Sequence, residues 1–212
     1  MKHQSSWCVA TAFLMAVPGV VTGQNILNSP HDFSGQTWNP TQQICLPCHA
    51  PHNNVATVAN APLWNHDTTS VASFQTYTSP TLTATVGNPT GTSKLCLSCH
   101  DGTVALDAFG GSSGSVFITN ANGDSLGTDL RNDHPISFIF NTTLASSDGG
   151  LFDPSTQLSG IPGTSGTIAQ DMLFSGSLEC ASCHDVHNAQ GIAKLLRKSN
   201  SSSGLCLTCH DK

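Results

Sequence analysis

The chain has 212 residues, of which only 9% are charged, and its formal net charge is −6. The sequence has no basic stripe, which argues against nucleic-acid binding. It contains 19 glycines and 11 prolines, and its hydrophobic residues would bury only a modest core for this length. We therefore expect a mostly irregular fold with short α-helices and a few short β-strands, whose interior must be filled by more than side chains.

The first 23 residues have the features of an export signal. A weakly basic start is followed by an apolar stretch at 7–21 and by small residues before Gln24. A proline and a glycine interrupt the apolar stretch, which is too short and too broken for a stable membrane span. We predict that residues 1–23 are a cleaved signal peptide and that 24–212 form one domain. A retained membrane anchor is the alternative.

The rest of the chain alternates polar loops with short elements. Residues 24–44 form an irregular arm that carries His31. Gly- and Ser-rich residues 110–178 contain two apolar runs, "SVFIT" and "PISFIF", which predict short strands that could form a hairpin. Helices are predicted around the cysteine motifs described next and in one later segment. They cover 46–54, 97–108, 180–188, 206–211 and 189–199.

Eight of the nine cysteines fall into four Cys-x-x-Cys-His motifs, and the ninth, Cys8, lies in the predicted signal peptide. This motif attaches c-type haem: its two thiols bond the porphyrin, and the adjoining histidine binds the iron. Zinc sites or disulfides would not require a histidine after every second cysteine. We predict four covalently attached haem c groups, which would also complete the core, and export agrees with this because c-type haems are attached outside the cytoplasm. The cysteines are Cys45, Cys48, Cys96, Cys99, Cys180, Cys183, Cys206 and Cys209, and the proximal iron ligands are His49, His100, His184 and His210.

Histidines are also the main candidates for the sixth ligand of each iron. Met172 is the only methionine after residue 23, so at most one site could be His/Met. Five further histidines are available for four sites, which predicts bis-histidine haems that are low in potential and closed to substrates. They are His31, His52, His66, His134 and His187.

Two of these five histidines repeat the same spacing. His52 follows His49 by three residues in "CLPCHAPHN", and His187 follows His184 by three in "CASCHDVHN". Each unit is followed by a similar second motif, "KLCLSCHDG" or "GLCLTCHDK", so the domain is an internal duplication with haem pairs at 45–100 and 180–210. A histidine about one helical turn from the proximal ligand lies on the same side of its own haem, so we expect it to bind a neighbouring iron.

This reasoning predicts a set of distal and proximal ligand pairs. The proline after His134 favours extended backbone, which suits a loop that presents an imidazole to a haem. One of the five histidines is spare and could bind a haem in a neighbouring subunit. If His31 in the N-terminal arm does so, the expected recipient is the haem of His210, and His187 then serves another iron. The predicted pairs within the chain are His52 with His100, His187 with His210, His134 with His184, and His31 or His66 with His49.

Several longer segments carry a likeness to a known family. They are "CLPCHAPHN", "PLWNHD", "KLCLSCHDGTVALDAFGG", "LGTDLRNDHPISF" and "CASCHDVHN", and the likeness covers essentially residues 28–211. The chain resembles the doubled-CXXCH cytochromes and, more closely, the tetrahaem extracellular cytochromes of the OmcE type from metal-reducing bacteria. The resemblance implies a filament of identical subunits with continuously stacked haems, in which a histidine of one subunit ligates a haem of the next. It also implies electron transport to external acceptors.

The sequence thus predicts an electron-transfer protein and not an enzyme, because an enzyme needs at least one open iron position. We expect an extracellular or cell-surface filament that conducts electrons from donor cytochromes to external acceptors. One alternative is a monomeric periplasmic tetrahaem shuttle, which shares the haem chemistry and differs in assembly. The others are a small multihaem nitrogen-oxide reductase and a zinc-stabilised module.

Overall fold

The computed structural model describes residues 26–52, 58–61, 63–119 and 124–211. The predicted signal peptide, residues 1–23, lies outside these ranges. Within them, no helix combines the length and the apolar character needed to cross a membrane. Most of the described backbone is irregular, with five short α-helices and four two-residue strands, which confirms the predicted mixture of elements.

Three of the five helices contain cysteines of the repeated motif. The longest, with ten residues, ends at the histidine of the second motif, and a glycine with a φ of +75° follows at position 102. The second helix is capped by Asn141, whose side chain accepts a hydrogen bond from the Leu144 N–H at 2.9 Å. The helices are α1 (Gly91–His100), α2 (Thr142–Asp148), α3 (Ile168–Asp171), α4 (Cys180–Cys183) and α5 (Cys206–Cys209), and 3₁₀ turns cover Ala193–Leu195 and Ser201–Ser203.

The strands form two small sheets. Strand β1 (Gln75–Thr76) pairs in parallel with β2 (Asp129–Leu130), and β3 (Phe138–Ile139) pairs antiparallel with β4 (Ser177–Leu178). The predicted hairpin between "SVFIT" and "PISFIF" is therefore wrong, although the second run does contain β3. The first run begins with Ser115 and Val116, whose N–H groups donate to the Asp107 carboxylate at 2.7 and 2.8 Å, so a different segment satisfies its backbone.

The first motif and the segment 189–199 also differ from prediction. In the first motif the chain makes a single turn and then leaves helical geometry at His49, which forms a β-bridge with Trp64. In 189–199 only one 3₁₀ turn forms, because Lys194 and Leu195 have positive φ angles of 61° and 56°. The residues beyond that turn run alongside the third motif, where the Arg197 N–H donates to the Cys183 carbonyl at 2.9 Å.

The apolar core is divided unequally. A cluster in the second half combines residues of α2, α3, β3 and β4, and Cys183 and Cys209 pack against it. A much smaller cluster consists of Phe74, Leu97 of α1 and Leu130 of β2. Met172, the only methionine available as an iron ligand, is 1% exposed inside the larger cluster. The larger core therefore supports the last two cysteine motifs directly.

Candidate functional site

The cysteine motifs share one local geometry. The N–H of His49 donates to the carbonyl of Cys45 at 2.7 Å, and the N–H groups of His184 and His210 each donate to the carbonyl of the first cysteine of their motif at 3.0 Å. One helical turn places side chains three residues apart on the same face, so the two thiols of a motif lie side by side. After the turn these three histidines each form a β-bridge, so the chain extends away from the thiols.

The thiols are not paired with one another, so all of them are available for thioether bonds to haem. All eight cysteines of the motifs are free and none is in a disulfide. Burial raises the pKa of Cys48 and Cys183 to about 11 and that of Cys99 and Cys209 to about 12. These four thiols are therefore neutral at physiological pH.

Several imidazoles are held with one nitrogen left for a metal. The Nδ1 atoms of His100, His134 and His184 lie 2.6, 2.8 and 2.9 Å from backbone carbonyl oxygens. A carbonyl only accepts, so Nδ1 carries the hydrogen and Nε2 keeps its lone pair. Such a bond fixes the tautomer and orientation of metal-binding histidines.

Three pairs of histidine rings face each other at nearly one distance. The ring centroids are 6.0 Å apart for His31 and His100, 6.1 Å for His49 and His187, and 6.2 Å for His134 and His210. Metal–imidazole bonds are about 2.0–2.1 Å long, so two rings on opposite sides of one metal ion have centroids about 6 Å apart. Paired free thiols, oriented imidazoles and this ring spacing together fit covalently attached haem with two histidine ligands.

The ring pairs are not those predicted from the sequence. His31 faces His100, for which the sequence predicts His52. His187 faces His49, for which the sequence predicts His31 or His66. His134 faces His210, for which the sequence predicts His187 or a neighbouring subunit's His31.

Within the chain His31 lies against His100, and its predicted role as a bridge to a neighbouring subunit stays a prediction. Burial lowers the pKa of His31 to about 4, with a further contribution from His100. The N-terminal arm thus packs onto the second motif.

His66 occupies a different kind of site from the other four candidates. It is 2% exposed, and its Nε2 and Nδ1 atoms lie 2.9 and 2.7 Å from the carbonyl oxygens of Ala105 and Asp67. The Sγ atom of Cys99 lies 3.6 Å from its Nε2. The ring of His66 therefore supports the second motif through contacts with two backbone carbonyls and with Cys99. The segment "PLWNHD", which contains His66, has no hydrophobic periodicity from which this role could be predicted.

Two histidines have no facing ring in the part of the chain that the structure describes. His52 and His184 are both exposed, and neither belongs to one of the three ring pairs. His184 nevertheless holds the same Nδ1 bond as the histidines that do have partners. The fourth proximal histidine is therefore held through Nδ1 like His100, and it has no facing ring in the described chain.

Each motif is close to the next one along the chain. The thiol of Cys99 is near Cys48, and this neighbour adds to the effect of burial in raising the pKa of Cys99. The sulfur atoms of Cys96 and Cys180 lie close together, and α1 packs against α4. Cys183 and Cys209 pack against the same apolar cluster. The four motifs therefore form one contiguous group.

Comparison with known families agrees with this geometry. The model of the family described as doubled CXXCH motif matches residues 174–212, which contain the third and fourth motifs. No curated protein matches the chain. The chain therefore carries, over residues 174–212, the doubled CXXCH motif, which supports haem-based electron transfer by a c-type cytochrome.

Proposed function

We propose that the protein transfers electrons through four covalently attached haem c groups, each held by two histidines. The observation that carries this proposal is the set of three imidazole pairs at 6.0–6.2 Å, each containing the histidine of a different Cys-x-x-Cys-His motif. Bound haem supplies a one-electron iron couple at each motif. The chain attaches it through the cysteine pairs, fixes the imidazoles through backbone carbonyls and closes both iron faces.

Closed iron sites favour an electron carrier over an enzyme. A reductase of small molecules needs an iron face that substrate can reach. With haem bound at His100, His49 and His210, the facing rings of His31, His187 and His134 would block the approach of a substrate to the iron. These three pairs support an electron-transfer protein over a nitrogen-oxide reductase, and the proposal extends this to the fourth site through His52.

The fourth site is completed by His52, opposite His184. Four candidate ligands remain for four sites once His66 is assigned to its backbone carbonyls. Three of the four are already paired, and His52 is the remaining one. The two copies of Cys-x-x-Cys-His-x-x-His then exchange ligands, because His187 of the second copy serves His49 of the first. Either the same chain or a neighbouring subunit supplies this His52.

Which chain supplies His52 distinguishes a filament from a monomer. If a neighbouring subunit supplies it, the protein is a filament whose haems continue from one subunit to the next, as the resemblance to the OmcE-type cytochromes implies. This is the form that we propose, exported and extracellular, receiving electrons from donor cytochromes and passing them to external acceptors. If the same chain supplies it, the protein is a monomeric periplasmic shuttle. The low charge of the chain would let identical subunits pack without strong repulsion.

Haem content and spin state test the proposed chemistry. The mass of the mature protein should exceed that of the polypeptide by four haem groups, and the oxidised protein should be fully low-spin. A colourless protein would contradict the proposal and favour a zinc-stabilised module. A high-spin ferric signal from about one haem in four in intact assemblies would show that one iron is open.

Dilution tests which chain supplies His52. Electron microscopy of the native protein shows whether filaments form, and the spin state is then followed as filaments dissociate. If His52 comes from a neighbouring subunit, about one haem in four should become high-spin in isolated subunits. Isolated wild-type subunits should then have the same high-spin fraction as isolated His52→Ala subunits. Isolated wild-type subunits that stay fully low-spin would assign His52 to its own chain.

A further inference from the structure

Glu179 is a buried carboxylate at the junction of the second and third motifs. It is the only glutamate among the 212 residues, it is 3% exposed, and it directly precedes Cys180. Its Oε2 atom accepts hydrogen bonds from the Ser93 N–H at 3.3 Å, from the Ser93 hydroxyl and from the Ser137 hydroxyl at 2.8 Å. Three donors therefore converge on one oxygen.

The directions of these hydrogen bonds follow from their neighbours. The Cys180 N–H donates to Ser93 Oγ at 2.9 Å, and the Thr90 N–H donates to Ser137 Oγ at 3.0 Å. Both hydroxyl oxygens already accept, so their hydrogens are directed to the carboxylate. In all three hydrogen bonds Glu179 is the acceptor, as a negatively charged carboxylate is.

The carboxylate lies against the start of α1. A Cβ atom at Gly91, the first residue of this helix, would be 3.0 Å from Glu179 Oε1. Negative charge is stabilised at a helix N-terminus, where the N–H groups point outward. Within the described chain no lysine or arginine forms a salt bridge with Glu179, so its charge is balanced only by these dipoles.

Two attachment cysteines meet beside this group. Ser93 lies one turn before Cys96 on α1, and the sulfur atoms of Cys96 and Cys180 lie close together. Sites two and three are therefore joined through a hydrogen-bonded cluster that contains one buried charge. The charge acts in a low-dielectric interior, where electrostatic interactions are stronger than in water.

We infer that Glu179 is a positioning residue that clamps the second motif to the third and lowers the reduction potentials of the haems attached there. The inference rests on the proposed function. A ferric haem carries one more positive charge than a ferrous haem, so a nearby buried anion favours the ferric state. The same hydrogen bonds hold the two attachment segments at a fixed separation.

Glu179→Gln tests the charge with little change in shape. We expect two of the four reduction midpoints of the haem-loaded protein to move to higher potential. The matched control is Asp148→Asn, which removes one charge from an exposed carboxylate, where solvent and salt screen it. That variant should leave all four midpoints in place. A folded, four-haem Glu179→Gln protein with unchanged midpoints would overturn the electrostatic role, even if its Tm fell.

Isotope labelling tests the inference in the wild type, in case Glu179→Gln fails to fold. Because Glu179 is the only glutamate, protein labelled with ¹³C-glutamate has one labelled side-chain carboxylate. We expect a label-sensitive carboxylate band in the reduced-minus-oxidised infrared difference spectrum. Haem count and spin state test the proposed function separately. Four low-spin haems without such a band would contradict the role of Glu179 alone.

Discussion

The two copies of Cys-x-x-Cys-His-x-x-His share the backbone turn that ends at their first histidine, and they differ at the second histidine. In both copies the first histidine donates its N–H to the first cysteine and then forms a β-bridge, His49 with Trp64 and His184 with Leu196. His187 of the second copy faces another ring at 6.1 Å, whereas His52 faces none within the described chain. The repeated sequence therefore determines the turn that carries the two cysteines. The rest of the fold determines which ring the second histidine contacts.

The residue after the first histidine accounts for part of this difference. In the second copy it is Asp185, whose carboxylate accepts from the N–H groups of His187 at 3.0 Å and Ala189 at 2.9 Å. In the first copy it is Ala50, which has no side-chain acceptor, and Pro51 follows it. A local carboxylate turn thus directs the backbone of His187, and the first copy lacks that turn.

Removing the ring of His187 should give the largest effect. In haem-loaded His187→Ala, the iron at His49 loses its sixth ligand, and about one haem in four becomes high-spin while its thioether bonds remain. Electron paramagnetic resonance of the oxidised protein measures this fraction. The matched control is His66→Ala, a buried histidine outside the ring pairs, which should keep all haems low-spin. Low-spin spectra in His187→Ala, without a replacement ligand, would show that the His49 pair is not a ligand pair.

Sequence predicted the local chemistry better than the long-range contacts. The four motifs, their free thiols and the mixture of short elements follow from spacing and composition, because attachment requires only one turn of backbone. The position of His31 opposite His100 depends on how the N-terminal arm packs, and nothing near His31 encodes it. The failed hairpin has the same origin, since Ser115 and Val116 are satisfied by Asp107, eight and nine residues away. In a chain with so many loops, each segment could pack against many others, so the sequence does not predict which contact forms.

The next largest effect should come from a substitution in the larger of the two apolar clusters. Met172 lies in the larger cluster, to which the cysteines of the last two motifs also pack. Met172→Ala removes fully buried atoms and should lower the free energy of unfolding by about 2–5 kcal/mol. Met172→Leu, of similar volume, should cost less than about 1.5 kcal/mol. Denaturant titration of both variants measures the difference. Neither should change the spin state, and a change in Met172→Leu would mean that the methionine contacts an iron.

Asp185→Ala should give the smallest effect and tests the difference between the two copies most directly. The variant loses two hydrogen bonds at the surface, each worth about 0.5–1.5 kcal/mol, so a modest fall in Tm is expected. The imidazole of His187 itself remains, and only the turn that directs it is weakened. Its Nδ1 also lies 3.5 Å from the Asp185 carboxylate, a contact that helps to orient the ring. We therefore expect a partial high-spin signal, smaller than that of His187→Ala. Asp185→Asn keeps one acceptor oxygen and should lie between Asp185→Ala and the wild type. A fully low-spin Asp185→Ala protein would show that the segments around His49 alone hold His187 in place, and that the aspartate does not explain why the two copies differ.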